Sequence, residues 1–390
     1  MMKKAFQGKV ARLVMSCLMV TSLAACASAP APNSAQPSAE PRKTDVPAAS
    51  AGTTENKEAW QIEWEKTVEA AKKEGEVVIF GLPTNREGVM AEFEKVFPGI
   101  KVKYSGMNPT QMTTKILAEQ QQNKYLVDIT LENAAVPSEN IADQIILPEV
   151  KDEKNWNYGY EAGYKMAQGE YKGQYAFSAI AYPYVYINND QIPEGELKSL
   201  EDLLDPKWKG KIIAGDFSYV SSTMEMLNAM AFTLGQDFVD KLVEQQELTT
   251  MTDSRMATEM FAVGKYPIGI GINNEYLRNY RTQGVVSKVT KLQPEKSPYL
   301  LSFTTAIVKN PPHPNAAKVF MNWFLSKEGQ THYVNYVKEF ISRRTDAPKS
   351  PYEDIRSWNL IDYKHSSFEK EPLENRPHMI ELGKKALQIK

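Results

Sequence analysis

Ser221-Ser222-Thr223 stands directly before an apolar run at helical spacing, Met224, Leu227 and Met230. Hydroxyls and free backbone N–H groups meet at such a helix start, and together they suit an anion. An ordinary helix cap uses the same residue types, so the triplet alone leaves both uses open. Arg86 brings a planar guanidinium fork matched to a carboxylate or phosphate, in a loop (Leu82 to Gly88) that also carries Thr84 and Asn85. Glu132, followed by Asn133, ends a short apolar run from Val127 to Leu131. The four histidines, His313, His332, His365 and His378, are scattered without metal-ligand spacing. There is no Gly-x-Ser-x-Gly elbow, no His-Glu-x-x-His and no phosphate loop, and Gly269-Ile270-Gly271 lacks the third glycine of a dinucleotide fingerprint. The chain is therefore expected to bind rather than to catalyse, and to carry no resident cofactor.

Regular elements must position these side chains. Trp60, Trp64, Val68 and Ala71 recur at helical spacing and stop at Gly75. Val77 to Gly81 reads as a strand, Val89, Phe93 and Val96 as a helix, Ile100 to Tyr104 as a second strand. Thr110 to Gln122 then reads as a helix and Val127 to Leu131 as a strand. Such alternation predicts an α/β fold with a parallel sheet covered by helices on both faces. Ligands of open sheets sit outside the strands' carboxyl ends, which places Thr84, Asn85, Arg86 and Glu132 toward a ligand. Tyr182, Tyr184 and Tyr186 alternate with Pro183 and Val185, as in a strand leaving one lobe for another. Tyr184 there either lines the cleft or packs the strand.

The first residues carry a separate message. Lys3, Lys4, Lys9 and Arg12 precede an apolar run, Leu13 to Leu23, that ends in small residues and Cys26. That is a secretory leader, and its apolar run is too short to span a bilayer. Leu23-Ala24-Ala25-Cys26 resembles the lipobox of bacterial lipoproteins, in which the cysteine becomes the first residue and carries fatty acyl chains such as palmitate. Several chains together anchor firmly where one would not. The other cysteine, Cys17, leaves with the leader, so the mature chain would have neither disulfide nor free thiol. Residues 26–57, rich in Ala, Pro, Ser and Thr and lacking apolar periodicity until their end, read as an unstructured tether. Loss of the leader's four positive charges moves the formal net charge from −2 to −6, and no basic stripe points to nucleic acid.

The run Ser199-Leu200-Glu201-Asp202-Leu203-Leu204-Asp205-Pro206-Lys207-Trp208-Lys209-Gly210-Lys211-Ile212 resembles a signature of ferric-iron-type periplasmic solute-binding proteins serving ABC importers. Ala306 to Asn310, Pro314 to Ala317 and Phe324 to Gln330 are similar to the C-terminal part of that family. The similarity runs from about Gly75 to Ala347. It implies a two-lobed type 2 periplasmic-binding-protein fold with hinge crossover strands and a ligand cleft. Residues 58–181 and 295–390 would form lobe one, including the C-terminal tail, and 182–294 lobe two. Crossovers would run through 182–188 and about 298–305. In iron-binding members two adjacent tyrosines supply phenolates. Here the matching pair is Glu275-Tyr276, and no histidine stands in the loop after the first strand. Glu132, Glu275 and Tyr276 would be the ligands if iron binds.

The expected function is a lipid-anchored, extracytoplasmic, monomeric solute-binding protein that closes on its ligand and delivers it to an ABC permease. An organic anion such as a phosphonate, carboxylate or sugar phosphate is the favoured ligand. Ferric iron is the alternative, as is a sensor or adhesin role without transport. Thr84, Asn85, Arg86, Glu132, Tyr184, Ser221, Ser222, Thr223, Glu275 and Tyr276 are the expected contacts. For the anchor, Cys26→Ala should abolish incorporation of an alkyne-labelled fatty acid and release the protein from the membrane fraction. Undiminished labelling in that variant would remove Cys26 as the lipidated residue.

Overall fold

The computed structural model describes residues 57–82, 86–132, 135–157, 173–181, 184–292, 299–338, 341–350, 364–365 and 370–388. The leader, Cys26, nearly all of the tether, Thr84 and Asn85 lie outside the described residues. Helix α1 (Ala59–Glu74) ends at Gly75, with Lys72 and Lys73 in its last turn, where positive charge complements the helix dipole. Strand β1 (Glu76–Gly81), helix α2 (Glu87–Val96), strand β2 (Lys101–Gly106), helix α3 (Pro109–Gln120) and strand β3 (Ile129–Leu131) follow the order the sequence predicts. Strand β4 (Ala176–Ala181) then leads toward β5 (Val185–Asn188) of a second sheet.

That second sheet adds β6 (Ile212–Gly215), helices α4 (Ser222–Leu234) and α5 (Gln236–Glu244), β7 (Thr249–Met251) and helix α6 (Ser254–Ala262). It is completed by β8 (Ile268–Ile270), helix α7 (Asn274–Thr282) and β9 (Val289–Leu292). The chain returns through β10 (Tyr299–Ile307) and continues into α8 (Pro314–Leu325), α9 (Lys327–Tyr336) and β11 (Ile341–Ser342). Strand β12 (Lys364–His365) and helix α10 (Lys370–Gln388) complete it. The first sheet has the order β11-β4-β10-β3-β1-β2 with β12 beside β10, and the second β7-β6-β8-β5-β9.

Side chains alternate across each sheet. Val77 and Ile79 face a core with Phe93, Phe320 and Trp323, whereas Phe80 joins Met112 and Ile116 on the other face. In the second sheet Val185, Ile187, Ile212 and Ile268 share one core, and Tyr186 and Ile213 belong to the opposite one. The inner strands are thus covered on both faces, which explains why β1, β3, β6 and β8 read as almost continuous apolar runs, whereas the edge strand β2 alternates with exposed Lys101, Lys103 and Ser105.

Two expectations need correction. The first sheet is mixed rather than parallel, because the return strand β10 inserts antiparallel between β3 and β4. The tail does not belong with the first lobe alone. Although β12 pairs with β10, α10 lays Met379, Leu382 and Ala386 into the core of the second sheet. Those residues lie at i, i+3 and i+7, an apolar stripe that matches the open face of α4 and α5.

Strand directions locate the site. Strands β1, β2 and β3 are mutually parallel, and β4, whose carboxyl end leads to the second sheet, runs the same way. Strands β6, β7 and β8 are parallel to one another and opposite to β5, which starts at the crossover. Each sheet therefore turns the carboxyl ends of these strands toward the other.

One buried amide secures the first lobe. The Asn322 Oδ1 accepts from the backbone N–H groups of Ile146 (2.7 Å) and Leu147 (3.0 Å), while its Nδ2 donates to the carbonyls of Gln144 and Lys318, each at 2.9 Å. Asn322→Ala would leave the 144–147 segment without those partners and should cost about 3 kcal/mol. Urea unfolding checks this; a loss within about 0.5 kcal/mol, the scale of a neutral surface change, would show that the segment finds other partners.

Candidate functional site

Arg86 follows β1 and is almost wholly buried, with 4 % of its surface exposed. Its Nη2 donates to Glu132 Oε1 at 2.6 Å. Glu132 stands at the end of β3 with φ +71°, a conformation uncommon for a non-glycine residue. Its other oxygen, Oε2, accepts the backbone N–H of Leu82 at 3.1 Å, and Oε1 also accepts the hydroxyl of Tyr333 from α9. The Tyr104 hydroxyl donates to the Leu82 carbonyl at 2.6 Å. Two strand ends and one helix are thereby knotted around a single guanidinium.

Across the cleft the second lobe answers with Glu275, buried in the first turn of α7, whose Oε2 lies 3.7 Å from Arg86 Nη1. The preceding Asn273 caps that helix, its side chain accepting the N–H groups of Glu275 (2.9 Å) and Tyr276 (3.1 Å). Burial alone would lower the Arg86 pKa, but the charge of Glu132, with Tyr333 and Glu275, holds it well above the ordinary value. The guanidinium is permanently charged.

The remaining expected contacts divide clearly. Ser221 is the cap of α4: its Oγ accepts the Met224 N–H at 3.1 Å and donates to the Asp216 carbonyl at 2.7 Å. Ser222 is exposed, whereas Thr223 is buried between the ends of β6 and β8. A Cβ on Gly271 (φ +66°) would lie 2.0 Å from Thr223 Oγ1, so only glycine allows this approach of α4 to the turn before α7. The starts of α4 and α7 are neighbours for that reason. Tyr276 is half-buried near them. The Tyr184 ring packs edge-on against Tyr186 at 6.2 Å, with Lys291 Nζ 4.6 Å from its centroid.

Arg86, Glu132 and Glu275 are therefore brought together, with α4 and α7 opening beside Glu275. The sequence reading missed Tyr333, although Gln330, Tyr333, Val334 and Val337 form a helical stripe in which a tyrosine hydroxyl needs a buried partner. It missed Tyr104 and the Asn273 cap as well. As for metal, both oxygens of Glu132 are already engaged. Among the described residues no group of three or more His, Cys, Asp or Glu side chains is placed to hold an ion.

A family profile described as "Bacterial extracellular solute-binding protein" matches residues 88–355. A comparison with curated proteins finds no match. Among solved structures, iron-bound HitA from Pseudomonas aeruginosa superposes with TM-score 0.60 at 17 % identity, over 80 % of this chain and 99 % of that one. The periplasmic binding protein AfuA from Actinobacillus pleuropneumoniae, with fructose-6-phosphate, gives 0.57 at 21 % identity over 81 % and 99 %. FutA (IdiA) from Trichodesmium, in complex with iron and citrate, gives 0.56 at 16 % identity over 80 % and 99 %. These likenesses concern the fold, which is that of two-lobed periplasmic binding proteins.

The buried phenols carry a pH signature. Burial, then the charge of Glu132, raises the Tyr104 pKa against the opposing charge of Arg86, and burial raises that of Tyr333. The unfolded chain, with phenols near pKa 10, ionises first. Stability from these groups is therefore present below about pH 10 and falls as the pH rises above it. Urea unfolding between about pH 9 and 11 should show a shallower decline in Tyr333→Phe than in the parent protein. Equal slopes would mean that Tyr333 does not contribute to the linkage.

Proposed function

The chain belongs to the bacterial extracellular solute-binding protein family, and from that premise we propose that it captures a small organic anion as the receptor of an ABC importer. It is a solute-binding protein that works outside the cytoplasm. In this reading the solute enters between the lobes, the lobes close by hinge motion, and a permease in the cytoplasmic membrane accepts the cargo. A lipid on Cys26 would hold the receptor at the membrane, with residues 26–57 giving it reach. Function is binding and delivery, without turnover.

One observation carries the choice of ligand: a guanidinium held by Glu132 in one lobe turns its second nitrogen toward a carboxylate of the other, at 3.7 Å. Arg86 thus has an anion as its partner across the cleft. A phosphonate, carboxylate or sugar phosphate offers the same charge and the same oxygen geometry. The starts of α4 and α7, with Ser222 and the backbone N–H groups there, favour negative charge on the opposite wall. Thr84, Asn85 and Tyr276 would complete the contacts, and Ser221 and Thr223 would shape the wall from behind.

Ferric iron is the competing cargo, since HitA and FutA are described with iron whereas AfuA is described with fructose-6-phosphate. Two features weigh against it. A fixed guanidinium beside Glu275 repels a cation, and Glu132 has no oxygen left uncommitted.

Glu275→Gln separates these readings. It removes the charge that competes with an anionic solute for Arg86, so organic anions should bind about fivefold or more tightly, the scale of one partly buried charge interaction. Arg86→Lys, which keeps a charge for Glu132 but loses the fork, should weaken the same anions about tenfold. Ligand-induced rises in melting temperature measure both, with phosphonoacetate, citrate, glucose 6-phosphate and ferric citrate as probes. A rise that requires iron and disappears in Glu275→Gln would replace the anion reading with iron.

A further inference from the structure

Helix α10 lies beyond the family match at 88–355, yet it rests against the segment that leads into α4. A Cβ on Gly383 would lie 2.5 Å from the Phe217 carbonyl carbon and 2.6 Å from its oxygen and from the Ser218 nitrogen. The helix therefore touches bare backbone there, at the connection between β6 and α4. That connection is wound tightly: Ser218 N–H donates to Asp216 Oδ1 at 2.8 Å, and Ser221 Oγ donates to the Asp216 carbonyl. About two turns earlier in α10, Arg376 donates from Nη2 (2.7 Å) and Nε (3.2 Å) to Glu225 Oε1. Glu225 is a buried carboxylate in the first turn of α4. Asn375 Nδ2 adds bonds to Asn228 Oδ1 (2.7 Å) and Gln236 Oε1 (3.2 Å).

These contacts restrain different motions. The Arg376–Glu225 pair opposes rotation of α4 about its axis, because a buried carboxylate separated from its cation is costly. The Gly383 contact opposes displacement of the β6–α4 connection toward α10, because closely packed backbone has no room behind it.

We propose that α10 is a positioning element for solute binding, with Arg376 and Gly383 fixing the height and orientation of the α4 start. The proposal rests on the reading above in which the α4 start faces the solute. The two residues act through α4 and do not touch ligand.

The test uses the mature chain without its leader and compares Gly383→Ala with the parent. Amide hydrogen exchange in the ligand-free protein should accelerate about tenfold across residues 217–225 while α6 and β8 keep their protection. Affinity for whichever of phosphonoacetate, citrate or glucose 6-phosphate binds the parent should fall about fivefold, with the melting temperature changed by no more than about 3 °C. Should Gly383→Ala fail to fold, Arg376→Lys and the paired Glu225→Gln, Arg376→Gln variant take its place, the pair being expected to recover protection that Arg376→Gln alone loses. Unchanged exchange at 217–225, or equal acceleration through the whole second lobe, would overturn the proposal. Failure of every anion to bind the parent would instead refute the ligand reading, and the exchange measurement would still decide the role of α10.

Discussion

A guanidinium that the fold has taken out of water sets the terms for both lobes. An unpaired cation at 4 % exposure would cost several kcal/mol, so Arg86 is possible only with a carboxylate in contact. Glu132 supplies it, in a left-handed backbone conformation that costs about 1 kcal/mol for a residue with a Cβ. Strain of this kind persists where surrounding bonds over-determine it. Here they do: Leu82 N–H and the Tyr333 hydroxyl saturate the carboxylate, and Tyr104 holds the Leu82 carbonyl. The first sheet thus delivers one oriented positive charge to its carboxyl edge.

Much of this frame can be read from the chain. The apolar alternation of Val77 to Phe80 and the stripe Trp60, Trp64, Val68, Ala71 encode local elements, and the strand–helix alternation encodes their layering. Ser221 announces a helix start and serves as one. The partners of Arg86 are different. Glu132 is 46 residues away and Tyr333 stands 201 residues beyond Glu132, so no spacing rule connects them. The carboxyl-edge rule turns Arg86 and Glu132 toward a ligand but says nothing of the bond between them. Their mutual neutralisation is a tertiary fact.

The tail shows the same limit in another form. Nothing in the residues beyond Pro348 says which lobe they cover; Met379, Leu382 and Ala386 are seen as an apolar stripe once the helix is in place. The expectation grouped the tail with residues 295–347 in the first lobe. The apolar face left by α4 and α5, together with a buried Glu225 that requires a cation, selected the second lobe instead. Pairing of a buried charge prevailed over proximity in sequence.

The Arg86–Glu275 contact turns these local facts into a relation between lobes. At 3.7 Å and an effective dielectric near 20, two unit charges attract by about 4 kcal/mol before desolvation is subtracted. Desolvation of the two buried groups offsets much of that attraction. Glu275 is itself favoured by its place in the first turn of α7, where the helix dipole stabilises negative charge. A carboxylate so placed acts as a built-in anion, satisfying the guanidinium and the helix start together. Under the proposed function, a solute that displaces it would satisfy both at once, for which negative charge and several acceptor oxygens are suited. Selectivity in that reading would start from this resident pair, whatever side chains later refine it.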